Sequence, residues 1–67
     1  MHLHEYEVRL PTGQIKRVKS FTPVNAVARV SMQHRHSTLG TDKNGFTVIQ
    51  ARSGDGETVS MYGVRSL

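Results

Sequence analysis

The 67-residue sequence contains no cysteine and no tryptophan, and it has only two prolines, two tyrosines and two phenylalanines. The lack of cysteine excludes disulfides, thiolate chemistry and the usual cysteine-based zinc sites. A chain this short without such cross-links has a small core and a thin margin of stability. We therefore expect a single domain, 1–67, that gains further stability by self-association, most simply as a homodimer.

Long apolar runs are absent as well. No stretch approaches the roughly 20 apolar residues that a membrane span needs. The N-terminal sequence MHLHEYEV has neither the apolar core of a signal peptide nor a basic leader. These features predict a cytoplasmic protein that does not enter a membrane.

Acidic residues are missing from the middle of the chain. None occurs between Glu7 and Asp42, whereas the whole chain has a formal net charge of +4. A region of one sign attracts polyanions or acidic protein surfaces, and the alternative is a merely solvated basic face. The cations of this acid-free interval are Arg9, Lys16, Arg17, Lys19, Arg29 and Arg35, with His34 and His36 beside them.

The segment HLHEYEVRLPTGQIKRVKSF predicts a β-hairpin, because apolar and polar residues alternate on both sides of PTG. A three-residue loop with Gly13 in the left-handed position sets Glu7 opposite Arg17 and Glu5 opposite Lys19, both favourable pairs. A shift by one residue would oppose like charges. The expected core face is Tyr6, Val8, Leu10 and Val18, and the expected solvent face is Glu5, Glu7, Arg9, Arg17 and Lys19.

The segment TPVNAVARVSMQHRHS predicts a helix, with Thr22 as N-cap and Pro23 in the first helical position. Small apolar residues at helical spacing provide a narrow face that can lie on a sheet. If the helix continues to His36, His34 and His36 point in different directions and cannot hold one metal ion together. Their positive charge, with Arg35, would instead complement the helix dipole ahead of Gly40.

A polar loop, TDKNG, follows, and then a second hairpin around SGDG whose register the sequence leaves open. A four-residue loop faces Arg52 with Glu57 and gathers Phe46, Val48, Val59 and Met61 on one side. A three-residue loop gathers Ala51, Ile49, Val59 and Met61 instead. Both registers leave apolar side chains away from the helix, which suggests a protein interface. We take its candidates to be Phe46, Ile49, Tyr62 and Val64.

The predicted fold is therefore α+β in the order ββαββ, with one helix on one face of an antiparallel sheet. No catalytic signature is present, and the few carboxylates are explained by strand pairing and turns, so we expect no enzyme activity and no cofactor. His2 and His4 share a strand face, but no further ligand completes a metal set, so we expect no metal site.

These features favour a non-enzymatic protein that binds a polyanion. The phosphate backbone of nucleic acid is slightly favoured over an acidic protein surface. The expected contact residues are Lys16, Arg17, Lys19, Arg29, Arg35 and Arg52, with Tyr62 or Phe46 as a possible base-stacking residue. The alternative is a module that binds or inhibits a larger protein through a sheet edge and an exposed apolar face. In its size, basic charge and lack of cysteine the chain resembles accessory proteins encoded by phages and mobile elements. We expect no small-molecule substrate.

Overall fold

The computed structural model describes residues 2–33 and 35–67. These residues form one five-stranded antiparallel sheet with one helix packed on one of its faces. The elements are β1 (His4–Arg9), β2 (Ile15–Ser20), α1 (Pro23–Ser31), β3 (Arg35–Thr41), β4 (Thr47–Arg52) and β5 (Val59–Ser66). The strands lie in the order β2-β1-β5-β4-β3. The predicted small α+β domain is confirmed, and its order is ββαβββ rather than ββαββ. No helix among the described residues is long and apolar enough to cross a bilayer.

The first hairpin has the predicted three-residue loop and the predicted register. The Leu10 amide donates to the Gln14 carbonyl at 2.7 Å, and Gly13 has a φ of 95°. The loop needs a positive φ at this position, and glycine adopts it without the steric cost that a residue with a Cβ atom would bear. Glu7 consequently pairs with Arg17, and Glu5 pairs with Lys19.

Helix α1 begins as predicted and ends earlier than predicted. Thr22 Oγ1 accepts from the amide of Asn25 at 3.1 Å, and Pro23 is the first helical residue. The helix stops at Ser31, because Met32 takes a left-handed conformation with a φ of 57°. Valine, serine and asparagine are weak helix formers, so packing on the sheet sets the length of this helix.

The predicted cationic helix end is wrong, because residues 35–41 form strand β3 at the edge of the sheet. Arg35 and His36 lie in this strand, and His34 lies outside the described residues. The geometric argument against metal binding by His34 and His36 assumed a helix and no longer holds. Gly40 is not a helix cap: the pairing of β3 with β4 shifts between Thr38 and Gly40, which marks a β-bulge.

Residues 42–45 form a tight turn between β3 and β4 rather than an open polar loop. The Asp42 amide donates to the Phe46 carbonyl at 2.8 Å, and Gly45 has a φ of 86°. This geometry repeats that of the first hairpin, with glycine again in the last loop position. Of the predicted loop TDKNG, Thr41 is therefore the last residue of β3, and the other four residues form the turn to β4.

The second predicted hairpin forms in neither of the two proposed registers. Ser53 pairs with Thr58, so Arg52 lies opposite Val59 and not opposite Glu57. Side chains hold the longer turn: Ser53 Oγ donates to Asp55 and accepts from the Thr58 amide. As in the four-residue alternative, Val48, Val59 and Met61 share one face of the sheet, and Ile49 and Tyr62 share the other. The helix packs on the face of Ile49 and Tyr62, which that alternative had turned away from it.

The core lies between α1 and one face of the sheet. Its buried members are Tyr6, Val8, Ala26, Val27, Ile49, Ala51, Tyr62 and Val64. Three of the four predicted interface residues, Ile49, Tyr62 and Val64, are thus core residues with 8% exposure or less. The fourth, Phe46, is also buried, on the other face of the sheet. The expected exposure of these side chains is therefore wrong. The helix covers the first three, and arginine side chains cover Phe46.

Candidate anion-binding surface

The face of the sheet opposite α1, here called the open face, carries most of the arginine side chains. Because side chains alternate along each strand, the register places its basic residues directly. They are Arg9, Arg17, Lys19, Arg35, Arg52 and Arg65. Of the six predicted contact residues, the open face brings together four, Arg17, Lys19, Arg35 and Arg52.

The centre of the open face is a buried aromatic ring covered by two arginines. The guanidinium carbons of Arg9 and Arg65 lie 4.6 and 4.5 Å from the centroid of the Phe46 ring. Each guanidinium also forms an ion pair: Arg9 with Asp42 at 2.9 Å, and Arg65 with Glu7 at 2.7 Å. These cations are already neutralised, so they contribute to folding rather than to a free positive surface.

Asp42 holds this cluster to the β3–β4 turn. Its Oδ1 accepts from the amides of Asn44 and Phe46, and its Oδ2 accepts from Arg9. Partial desolvation raises the pKa of the Asp42 carboxyl, but the hydrogen bond from Arg9 and those from the two amides outweigh it and lower the pKa below the ordinary 3.8. Asp42 therefore links the β3–β4 turn to Arg9 of the cluster.

The cations on β2 face the two glutamates of β1. Arg17 is opposite Glu7, and Lys19 is opposite Glu5. Directly opposed side chains on an antiparallel pair have Cβ atoms about 4.5–5.5 Å apart. The positive potential of Arg17 and Lys19 is therefore reduced locally, although both side chains are exposed.

At the β3–β4 end of the open face, two arginines lie directly opposite each other. Arg35 on β3 pairs directly with Arg52 on β4, and both are exposed. Neither has a carboxylate within 4 Å among the described residues, where the ion pairs are those of Arg9 and Arg65. Like charges in this position destabilise a sheet. The pair is thus a concentration of positive charge that the fold does not neutralise.

A neutral side chain, Gln50, orients Arg52. With its amide oxygen turned to Arg52, Gln50 accepts from the guanidinium Nη2 at 3.0 Å and from Nε at 3.1 Å. Val59 and Met61 lie on the neighbouring strand β5 and remain 44% and 48% exposed. The arginine pair therefore borders an apolar strip on the same face.

The last two predicted contact residues lie away from the open face. Arg29 is on α1, in the other layer of the domain, and Lys16 pairs with the core residue Val8, so it emerges on the helix side of the sheet edge. The structure therefore divides the predicted site into two surfaces. The acid-free interval of the sequence does not correspond to one continuous basic patch.

One described histidine, His36, has a structural contact. His36 Nε2 and Ser31 Oγ lie 2.8 Å apart and share a hydrogen bond that ties the end of α1 to β3. A serine and histidine in contact can form part of a nucleophilic site, but such a site also needs a group that orients the base. Within residues 2–33 and 35–67, no cluster of three or more histidine, aspartate or glutamate side chains is placed to hold a metal ion.

Comparison of the chain with protein-family models, with curated protein sequences and with solved structures finds no significant match in any of the three.

Proposed function

We propose that the chain is a cytoplasmic, non-enzymatic binding module that contacts the phosphate backbone of a nucleic acid through the open face of its sheet. The observation that carries the proposal is the opposed pair of Arg35 and Arg52. Two guanidinium groups on neighbouring strands offer several N–H donors to one phosphate, or to two successive phosphates. An anion bound between them would replace their mutual repulsion by attraction.

The position of this pair on the sheet supports the same function. The open face has no helix on it, and the cations Arg17 and Lys19 lie at the opposite end of the same surface. A backbone that crosses the sheet from β3 to β2 would therefore meet cations at both ends. The ion-paired arginines at the centre, with Phe46 beneath them, would keep the surface flat and rigid.

The aromatic residues argue for contacts to phosphate rather than to bases. Phe46 is covered by two guanidinium groups and is 5% exposed, and Tyr62 faces the helix. Tyr6 is a core residue, and Phe21 lies in the connection between β2 and α1. Neither Tyr62 nor Phe46 is therefore exposed for stacking on a base. Binding that lacks base contacts is insensitive to sequence.

The test is a fluorescence-anisotropy titration of a labelled mixed-sequence duplex, repeated at several salt concentrations. For the wild type we expect a dissociation constant in the range of about 10⁻⁴–10⁻⁶ M near physiological salt, with the same value for two unrelated sequences. In the double variant Arg35→Gln, Arg52→Gln, the slope of log K against log salt should become shallower by about two, or about 0.9 for each lost phosphate contact.

The matched control is Lys16→Gln, Arg29→Gln, which removes the same charge from the helix side of the domain. It should leave the salt slope unchanged within about 0.5. Equal losses in the two double variants would mean that net charge alone governs binding. Absence of wild-type binding at low salt would reject the nucleic-acid function.

The second candidate function is protein binding, including binding to a second copy of the chain. It is favoured by Val59 and Met61, which stay exposed on the open face beside Arg52. An apolar strip bordered by arginines is typical of the core and rim of a protein interface. Sedimentation equilibrium of the wild type and of Met61→Lys distinguishes this function: a dimer that the substitution dissociates supports self-association, and a monomer at high concentration contradicts it.

A further inference from the structure

A cleft of about 330 Å³ lies on the helix side of the domain, where the end of β2 passes into α1. Its lining residues are Ser20, Phe21, Asn25, Ala28 and Arg29. This volume is at the lower end of the range typical of small-molecule sites. The cleft is separate from the open face, because α1 covers the opposite side of the sheet.

One of the lining residues, Ser20, has a buried hydroxyl group without a partner. Ser20 is 1% exposed, and its Oγ has no hydrogen-bond partner among the described residues. Buried polar side-chain atoms are normally satisfied, so such a group calls for a specific explanation. Ser31 and Ser53, by contrast, both use their hydroxyl groups in hydrogen bonds.

The helix contributes two further hydrogen-bond donors to the same cleft. Asn25 and Arg29 are four residues apart on α1 and therefore lie on the same face of the helix. The Arg29 guanidinium has no carboxylate within 4 Å in the described part of the chain. Phe21, 42% exposed, and Ala28 supply an apolar wall beside these polar groups.

We propose that this cleft binds a small organic anion, a carboxylate or phosphate monoester attached to an apolar body. The oxyanion would accept hydrogen bonds from Arg29 and Asn25. It would also accept one from the hydroxyl of Ser20 after the side chains that cover this buried group move aside, while the apolar body lies against Phe21. A guanidinium beside neutral donors is a typical arrangement for binding an oxyanion. This site does not depend on the proposed nucleic-acid function, and it adds a small-molecule ligand to a protein for which the sequence predicts no small-molecule substrate.

The test is a titration of the ¹⁵N-labelled full chain with phenyl phosphate and, separately, with benzoate, followed by two-dimensional amide spectra. Phenol serves as the neutral analogue and inorganic phosphate as the anion without an apolar body. We expect saturable shifts at Ser20, Phe21, Asn25 and Arg29, with a dissociation constant of about 1 mM for the better of the two organic anions. The preferred anion identifies whether the natural ligand carries a carboxylate or a phosphate.

Two variants test the roles of the donors. Arg29→Gln should weaken binding about tenfold, because a charged hydrogen bond is lost. Ser20→Ala should weaken it about threefold while the thermal midpoint stays the same or rises, because the buried unpaired hydroxyl is removed. The matched control Lys43→Gln removes one charge from the exposed β3–β4 turn, outside both proposed sites, and should leave phenyl phosphate binding in the cleft unchanged.

Three outcomes would overturn the proposal: shifts that do not saturate, phenol binding as well as the anions, or unchanged affinity in Arg29→Gln. Shifts confined to Arg35 and Arg52 would also overturn it and would assign the anion to the open face. Because the variants of the two sites are separate, loss of nucleic-acid binding in Arg35→Gln, Arg52→Gln leaves the cleft intact.

Discussion

The substitution Phe46→Leu tests whether the two arginines over the ring stabilise the fold. Phe46 is 5% exposed, and guanidinium carbons lie 4.6 and 4.5 Å from its ring centroid. Leucine keeps most of the apolar burial but has no π-system. Each cation–π contact at a partly exposed site contributes about 0.5–1 kcal/mol, so losing both costs about 1–2 kcal/mol. The change of shape adds less than about 1.5 kcal/mol.

We therefore expect Phe46→Leu to lower the free energy of unfolding by about 2 kcal/mol. In a domain of this size such a loss lowers the thermal midpoint by roughly 8–16 °C. Urea unfolding followed by circular dichroism measures the free energy, and calorimetry measures the midpoint. The matched control is Phe21→Leu, the same substitution at a ring that is 42% exposed, which should cost less than about 0.5 kcal/mol.

A double-mutant cycle with Arg65→Met separates the cation–π contact from packing, because methionine keeps much of the apolar stem. The coupling free energy between the two substitutions should be about 0.5–1 kcal/mol. A coupling of zero, or a Phe46→Leu variant as stable as Phe21→Leu, would refute the stabilising role of the guanidinium groups. The ring would then be an ordinary buried apolar residue.

Three further predictions concern charges and backbone on the same sheet. Arg35→Gln should raise the free energy of unfolding by a few tenths of a kcal/mol in urea titrations, because it relieves the repulsion from Arg52; a clear loss would contradict this. Gly63→Ala should destabilise the wild type but not an Arg9→Ala background, since an added Cβ would lie 2.9 Å from Arg9 Nη2; equal losses in both would contradict it. Because the Asp42 pKa is lowered on folding, its stabilisation is present above the unfolded value of about 3.8 and lost as pH falls through the folded value. Acid titration of Asp42→Asn by circular dichroism should therefore show a weaker loss of stability below pH 4 than the wild type.

Local chemistry was sufficient to predict the first hairpin and the start of the helix. The PTG loop with its glycine, and the charge pairs across the strands, allowed one register only. Thr22 followed by Pro23 marked the N-cap because both residues have strong and specific preferences there. In each case the signal lies within a few residues of the structure that it specifies.

Strand β3 could not be predicted from its own sequence. Its seven residues, RHSTLGT, lack alternation, and the one large apolar residue, Leu39, is 52% exposed. The strand is held at the sheet edge by backbone hydrogen bonds to β4, and these leave no trace in side-chain periodicity. The end of the helix at Ser31 was unpredictable for a related reason. Met32 adopts the left-handed conformation that ends the helix, although glycine usually occupies that position.

The candidate site was only partly predictable because its electrostatics depend on contacts between distant parts of the chain. Arg9 and Asp42 are 33 residues apart, and Glu7 and Arg65 are 58 residues apart. The sequence shows which cations exist, but the sheet order determines which of them meet a carboxylate. The covering of Phe46 by two arginines is likewise a consequence of strand order, because Arg9 and Arg65 come from β1 and β5 and Phe46 precedes β4.

These pairings change what the acid-free interval means. Glu7 and Asp42, the residues that bound it in the sequence, lie on the open face and neutralise Arg65 and Arg9. Part of the positive charge on the open face is therefore compensated. The opposed residues Arg35 and Arg52 have no ion pair among the described residues, and Arg52 lies outside the interval. Under the proposed nucleic-acid function, phosphate groups should therefore contact the β3–β4 end of the sheet, where the fold leaves positive charge that it has not compensated.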